Sequence, residues 1–186
     1  MRNLFTFLFC LQFALFGLSQ GKQKEIRPFE NLKNIPTIDL VAPNLKAIHE
    51  EDVLREKNGE LYRIGVSMES NITTSNSGNW TINNNGSRTW SLRVSAPGAE
   101  ALSFLFSEFT LYGGSVLTIR DLEGKLVHKP MTYLDVIDHH MQNAALCFGD
   151  DLVVEIHEPA NVEASHILID RVMYNYRSTG NPNAHK

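Results

Sequence analysis

Asp135, Asp138, His139 and His140 fall within six positions. Carboxylate oxygens and imidazole nitrogens are donors that divalent cations accept. Adjacent histidines on a strand point to opposite faces, however. Residues 131–142 also read as a connection between strands. The cluster is therefore read first as solvated loop polarity, with a divalent-metal site as the alternative. Glu155 and His157 stand two apart and share one face of a strand. With Leu152, Val154 and Ile156 turned inward, that face should meet solvent. Cys147 lies between Leu146 and Phe148 and reads as a small buried apolar side chain. Nothing beside it offers the base and positive field that a nucleophilic thiol needs. No Gly-x-Ser-x-Gly elbow occurs, and Gly113-Gly114 lacks the lysine of a phosphate-cradling loop. None of these patterns implies a catalytic residue or a cofactor. Trp80 lies near three sequons, Asn71-Ile-Thr, Asn79-Trp-Thr and Asn85-Gly-Ser. An exposed tryptophan there could stack on a sugar ring, against a core or lid role.

The elements that must position these residues are mostly strands. Tyr62, Ile64, Val66 and Met68 alternate with smaller or polar residues, as do Trp90, Leu92 and Val94, and Leu152, Val154 and Ile156. Period two is the signature of a half-buried strand. Trp90 is in phase with its neighbours and should anchor the core. Residues 102–111 are more continuously apolar, which predicts a strand buried on both faces. Residues 116–119 and 126–128 flank Asp121-Leu-Glu-Gly124 and predict a hairpin. Residues 166–176 predict the last long strand. Residues 69–88 are rich in Asn, Ser, Thr and Gly and read as a long loop holding a short strand near 80–82. Upstream, residues 37–41 read as a short strand. Asn44 reads as the cap of a helix over Leu45–Lys57, with Gly59 just beyond its end. Leu45, Ile48 and Val53 give that helix a thin apolar stripe. Glu50, Glu51 and Asp52 should then be solvated. About eight strands after one short helix predict an all-β fold, an antiparallel β-sandwich or jelly roll.

The chain has 186 residues, 42% hydrophobic and 20% charged, with a mean hydropathy of −0.20 and a net charge of −4. No basic surplus exists to neutralise phosphates, so nucleic acid is not an expected partner. Two cysteines exclude a disulfide-rich scaffold. Arg2 precedes an apolar run over residues 4–18 that is short for a spanning helix. This is the layout of a secretory signal peptide, with cleavage expected near Gln20 and an uncleaved membrane anchor as the alternative. Removing twenty residues from 186 leaves 166, a single cysteine and a net charge of −5. No second run of spanning length follows, so no membrane association is expected after cleavage. The expected organisation is a signal peptide over 1–20 and an extended lead-in with the helix over 21–59. A β-sandwich over 60–177 and a disordered tail over 178–186 complete it.

Several strings recur in one known arrangement. Ser77-Gly-Asn-Trp80 is followed by Thr89-Trp-Ser-Leu-Arg-Val-Ser-Ala-Pro-Gly-Ala99, then by Leu102-Ser-Phe-Leu-Phe106. Phe109-Thr-Leu-Tyr-Gly-Gly-Ser-Val-Leu-Thr-Ile119, Gly149-Asp-Asp-Leu-Val-Val-Glu155 and Ile169-Asp-Arg-Val-Met-Tyr-Asn-Tyr176 come next. In this order they resemble the N-terminal noncatalytic region of secreted bacterial trypsin-like serine proteases of the lysyl endopeptidase type. Tyr112 stands where that family has proline, and Tyr174 where it has histidine. The resemblance covers roughly residues 36–177. It implies an exported propeptide or accessory domain that aids folding or restrains a catalytic unit. The family's trypsin-like catalytic domain, with its Ala-His-Cys and Gly-Asp-Ser-Gly-Gly segments, has no counterpart here. The expected partner is therefore such a domain in trans, or in cis if the chain is a fragment of a longer protease. The alternative is a free-standing jelly-roll module that binds a carbohydrate or cell-surface ligand. Under a bacterial origin the sequons are accidents of composition.

Overall fold

A computed structural model describes residue 29 and residues 32–135 and 142–177. The expected signal peptide, Cys10, the tail over 178–186, and Asp138, His139 and His140 lie outside the described residues. Among the described residues the architecture is all-β, with two open sheets and one α-helix. One sheet contains β1 (Thr37–Asp39), β3 (Asn79–Ile82), β4 (Arg88–Ser95), β6 (Val116–Asp121) and β8 (Asp151–Glu158). The other has the order β2 (Gly65–Thr73), β9 (His166–Asn175), β5 (Ala101–Thr110), β7 (Gln142–Phe148). Helix α1 (Leu45–Lys57) stands between β1 and β2 in the chain. Asn44 caps it as expected, its side chain accepting from the Ala47 amide at 3.2 Å.

The pairings nest. β2 pairs with β9, β4 with β8, and β5 with β7, all antiparallel. β8 also pairs with β6, and β9 with β5, so each of these late strands bridges two earlier ones. β4 gives one whole flank to β8. Its other flank is divided between β3, opposite residues 88–91, and β1, opposite residues 93–95. The β1 pairing is parallel, an exception to the antiparallel expectation.

One apolar core receives side chains from both sheets. Trp90, Leu92, Val94, Phe104, Phe106, Leu117, Ile119, Leu152, Val154, Ile156, Ile169, Val172 and Tyr174 are all but fully buried. Each such aliphatic or aromatic side chain contributes about 2–3 kcal/mol of transfer free energy. Alternation in β4 and β8 made their inward residues easy to read, although Val153, on the other face of β8, is buried as well. β5 differs from expectation. It is buried on one face only: Phe104, Phe106 and Phe109 are buried, whereas Leu105 is half-buried and Glu108 exposed. The register against β9 shifts between Leu105 and Phe106 and again between Phe106 and Glu108, leaving Asp170 of β9 and Ser107 of β5 outside the ladder in a bulge that both strands share. That bulge keeps both Phe106 and Phe109 inward although they are three apart. Their rings meet edge to face at 5.3 Å.

Two other expectations change. Residues 69–88 hold the expected short strand, β3, but are otherwise not one long loop: β2 runs to Thr73 and β4 begins at Arg88. Local turn chemistry makes the short connections. The Asn76 side chain accepts from the Thr73 amide at 2.9 Å, and the Asn85 side chain from the Ser87 amide at 3.1 Å. Composition alone concealed this. The return arm expected at 126–128 is no regular strand. It touches β6 through isolated bridges at Arg120–Leu126 and Leu117–Met131, with a two-residue slip between them. Pro130, which lacks an amide proton, lies within that slip. The Pro97-Gly98 turn does form as expected: Gly98 has φ 84, and the Ala99 amide donates to the Ala96 carbonyl at 3.1 Å.

Gly78 allows the β2–β3 turn to approach the core tryptophan. Its φ is 69, and a Cβ there would lie 2.6 Å from Trp90 Nε1 and 2.7 Å from the Ser91 carbonyl. Trp90 Nε1 donates to the Ser77 carbonyl at 2.7 Å, so neither side can yield without breaking that bond. Gly78→Ala is expected to cost roughly 2–3 kcal/mol, measured as a lower urea midpoint. An unchanged midpoint would show that the turn is not constrained in this way.

Candidate functional site

Among the described residues, those singled out above do not converge. Asp135 caps a 3₁₀ turn: its carboxylate accepts from the Thr132 amide at 2.8 Å and from the Thr132 hydroxyl at 3.0 Å. The Lys129 ammonium, also at 2.8 Å, and these bonds hold its pKa down at about 2. Among the described residues no group of three His, Cys, Asp or Glu side chains could hold a metal ion. Trp80 is half-buried and packs against the core beside its cross-strand partner Trp90. Its Nε1 donates to the Thr74 carbonyl at 3.2 Å, and the Arg88 guanidinium lies over its ring at 5.1 Å. Arg88 also pairs with the buried Glu158 carboxylate, which accepts from the Ser165 amide at 2.6 Å. Cys147 is fully buried, and burial pushes its thiol up to about 12.

Glu155 and His157 lie on the outer face of their sheet as expected, but only His157 is exposed. Glu155 accepts from the Ser91 hydroxyl at 3.2 Å and stands 3.5 Å from the Arg120 guanidinium. Its side chain is only 20% exposed. Burial raises its pKa, against the opposing effects of Ser91, Arg120 and His157. Ser91 bonds a carboxylate directly, and His157 Nδ1 meets the Thr89 hydroxyl at 3.3 Å. No histidine stands between Ser91 and the acid, so this face does not have the order of a Ser-His-acid triad.

The densest polar constellation was expected to be solvated. Asp52 on α1 is 1% exposed, the one buried residue of that helix. Its Oδ1 accepts from Arg63 Nε at 2.8 Å. Its Oδ2 accepts from the Tyr176 hydroxyl at 2.7 Å and lies 3.0 Å from Arg177 Nη2. Arg63 Nη2 also reaches Glu51 at 3.0 Å and the Ile48 carbonyl at 3.3 Å. Arg177 Nη1 reaches Glu56 at 2.8 Å, and its guanidinium covers the Tyr62 ring at 4.2 Å. Burial disfavours the charged Asp52 carboxylate, but Tyr176, Arg63 and Arg177 together outweigh it and hold its pKa below 3.8. Val53 and Leu54, in contrast, are 66% and 62% exposed. The expected apolar stripe is therefore corrected: α1 faces the domain with Leu45, Ile48 and Asp52, spaced i, i+3, i+7. That spacing was the available signal, since it puts Asp52 in line with the two apolar residues.

No family model matches the chain, and no curated protein or solved structure matches it.

Two measurements follow from these environments. In a Cys10→Ser chain, Cys147 is expected to react with a thiol reagent at least about a hundredfold more slowly when folded than in denaturant. Equal rates would show that the thiol is accessible. Glu155 has a folded pKa above the ordinary 4.5. Its ionised form therefore costs stability at neutral pH, and the cost fades as pH falls through the folded value. Glu155→Gln is expected to match the parent or exceed it by up to about 1 kcal/mol at pH 7, and to lose that advantage toward pH 4. Denaturant titrations at the two pH values read the difference, and a loss of stability at pH 7 contradicts it.

Proposed function

We propose that this chain is an exported, noncatalytic jelly-roll module that docks on a trypsin-like catalytic domain, in cis within a longer protein or in trans. The jelly-roll reading draws on the nested pairings. β2–β9, β4–β8, β5–β7 and β6 with its irregular return arm form one long hairpin whose successive pairs alternate between the sheets. The protease association draws on the order of the strings over residues 36–177.

The observation that carries the docking reading is the orientation of α1. It turns a carboxylate inward and leaves Val53 and Leu54 outside, followed closely by Leu61 at 89% and Tyr62 at 62% exposure. Exposed apolar side chains gathered on one short stretch are the composition of an interface core. Arg177, bonded to Glu56 and stacked on Tyr62, brings the C-terminal end of the last strand to the same helix. A domain continuing from that end, or binding beside it, meets α1 first. The carbohydrate alternative depends on Trp80, and a sugar stacking there has to displace Arg88.

The test is calorimetric titration of the purified chain with the trypsin-like catalytic domain encoded in the same genome, alongside a peptidase assay. Binding at micromolar affinity or better is expected, with altered hydrolysis. Leu54→Asp with Leu61→Asp should weaken binding at least about tenfold. Absence of binding overturns the docking reading. Glycan binding that disappears in Trp80→Ala favours the carbohydrate module instead.

A further inference from the structure

We infer that Arg63, Arg177 and Tyr176 form a carboxylate-binding site that α1 occupies in cis with Asp52 as an internal ligand. All three groups converge on one carboxylate: Arg63 and Tyr176 donate to it at 2.8 and 2.7 Å, and the Arg177 guanidinium forms an ion pair with it at 3.0 Å. Two guanidinium groups and a phenol hydroxyl on one anion make a receptor for an acidic group, and each bond to the charge is stronger than a neutral one.

None of these donors belongs to α1. Arg63 precedes β2, and Tyr176 and Arg177 follow β9. The Tyr176 and Arg177 amides both donate to the Ile64 carbonyl, at 3.1 and 3.3 Å. The backbone that carries the receptor is therefore braced by the sheet, and the Arg177 guanidinium by its stack on Tyr62, while Glu51, Glu56 and the Ile48 carbonyl of α1 also hold the two guanidinium groups. The helix itself is weakly held apart from this site. Asp52 is its one buried residue, and Leu45 and Ile48 are only half-buried. Its other contacts include Leu45 against the edge of the core, the Glu51 and Glu56 ion pairs, the Arg63 bond to the Ile48 carbonyl and the His49 ring, 5.5 Å from Tyr176. Exposed ion pairs of this kind contribute little each.

A helix held chiefly by one carboxylate is displaceable by another. The competing ligand is an aspartate or glutamate side chain, or a terminal carboxylate, of a docking partner. Insertion of that group frees α1, so the site couples partner binding to helix release. This use rests on the docking reading above. The receptor itself is tested on the chain alone, so the two can fail separately.

The experiment uses Asp52→Ala in the full chain, with acetate as the probe and chloride at matched ionic strength as control. Amide exchange over residues 45–57 is expected to accelerate at least about tenfold, while β5 and β9 stay protected. Acetate in the range of about 100 mM should raise the melting temperature of Asp52→Ala by about 2–4 °C more than that of the parent. Adding Arg177→Gln should abolish the response. Unchanged protection of α1 overturns the inference, as does an acetate effect equal in all three proteins. If Asp52→Ala loses protection in β5 and β9 as well, the helix is integral rather than displaceable, and the inference fails. Asp52→Asn, which keeps the shape of the side chain, separates loss of charge from loss of packing. It should retain β-sheet protection and show the same faster exchange in α1.

Discussion

The two sheets share one core, and each can fill it from only one face. Every strand must therefore keep its inward residues in phase along its full length. In β4 and β8 simple alternation achieves this. In β5 it does not, because the apolar residues Phe106 and Phe109 fall out of step. Ser107 drops out of the pairing there together with Asp170 of β9, and both strands change phase at the same place. β2 and β7 carry register shifts of their own against their partners. The bulges are thus the means by which the sheet retains a single apolar face.

The opposite solution holds α1 in place. A helix with few apolar residues cannot dock by area alone. Here a carboxylate substitutes for a hydrophobic anchor, and two arginines and a tyrosine compensate its desolvation. Breaking such a group usually costs more than its net contribution, because the remaining charges stay behind unpaired. The arrangement therefore fixes where the helix sits more strongly than it stabilises the domain. It also leaves Val53 and Leu54 free for outside contacts.

The fold class was legible because period two survives in β4, β8 and much of β9, and because Asn44 marks the start of α1. In 69–88 the short strand β3 was legible but the extent of its neighbours was not, because Asn, Ser, Thr and Gly supply tight turns and long loops alike. The both-faces reading of β5 failed because a bulge is invisible to a periodicity count. The Asp52 site was half legible. Its alignment with Leu45 and Ile48 could be read from spacing, but Arg63 and Arg177 are brought together only by the β2–β9 pairing. Long-range convergence of that kind has no local signature. Of the four residues in the polar cluster the structure describes Asp135, whose carboxylate caps a turn at Thr132 and pairs with Lys129.

The nesting of strands also sets an order of assembly. β8 lies between β4 and β6, and β9 between β2 and β5. Until residues 151–175 are available, β4 has no link to β6, and β2 has no neighbour at all. A chain emerging from a ribosome must wait for β8 and β9 before either sheet is complete. Contacts this distant in sequence also make folding slow. The topology therefore completes the shared core only once residues 151–175 have been made.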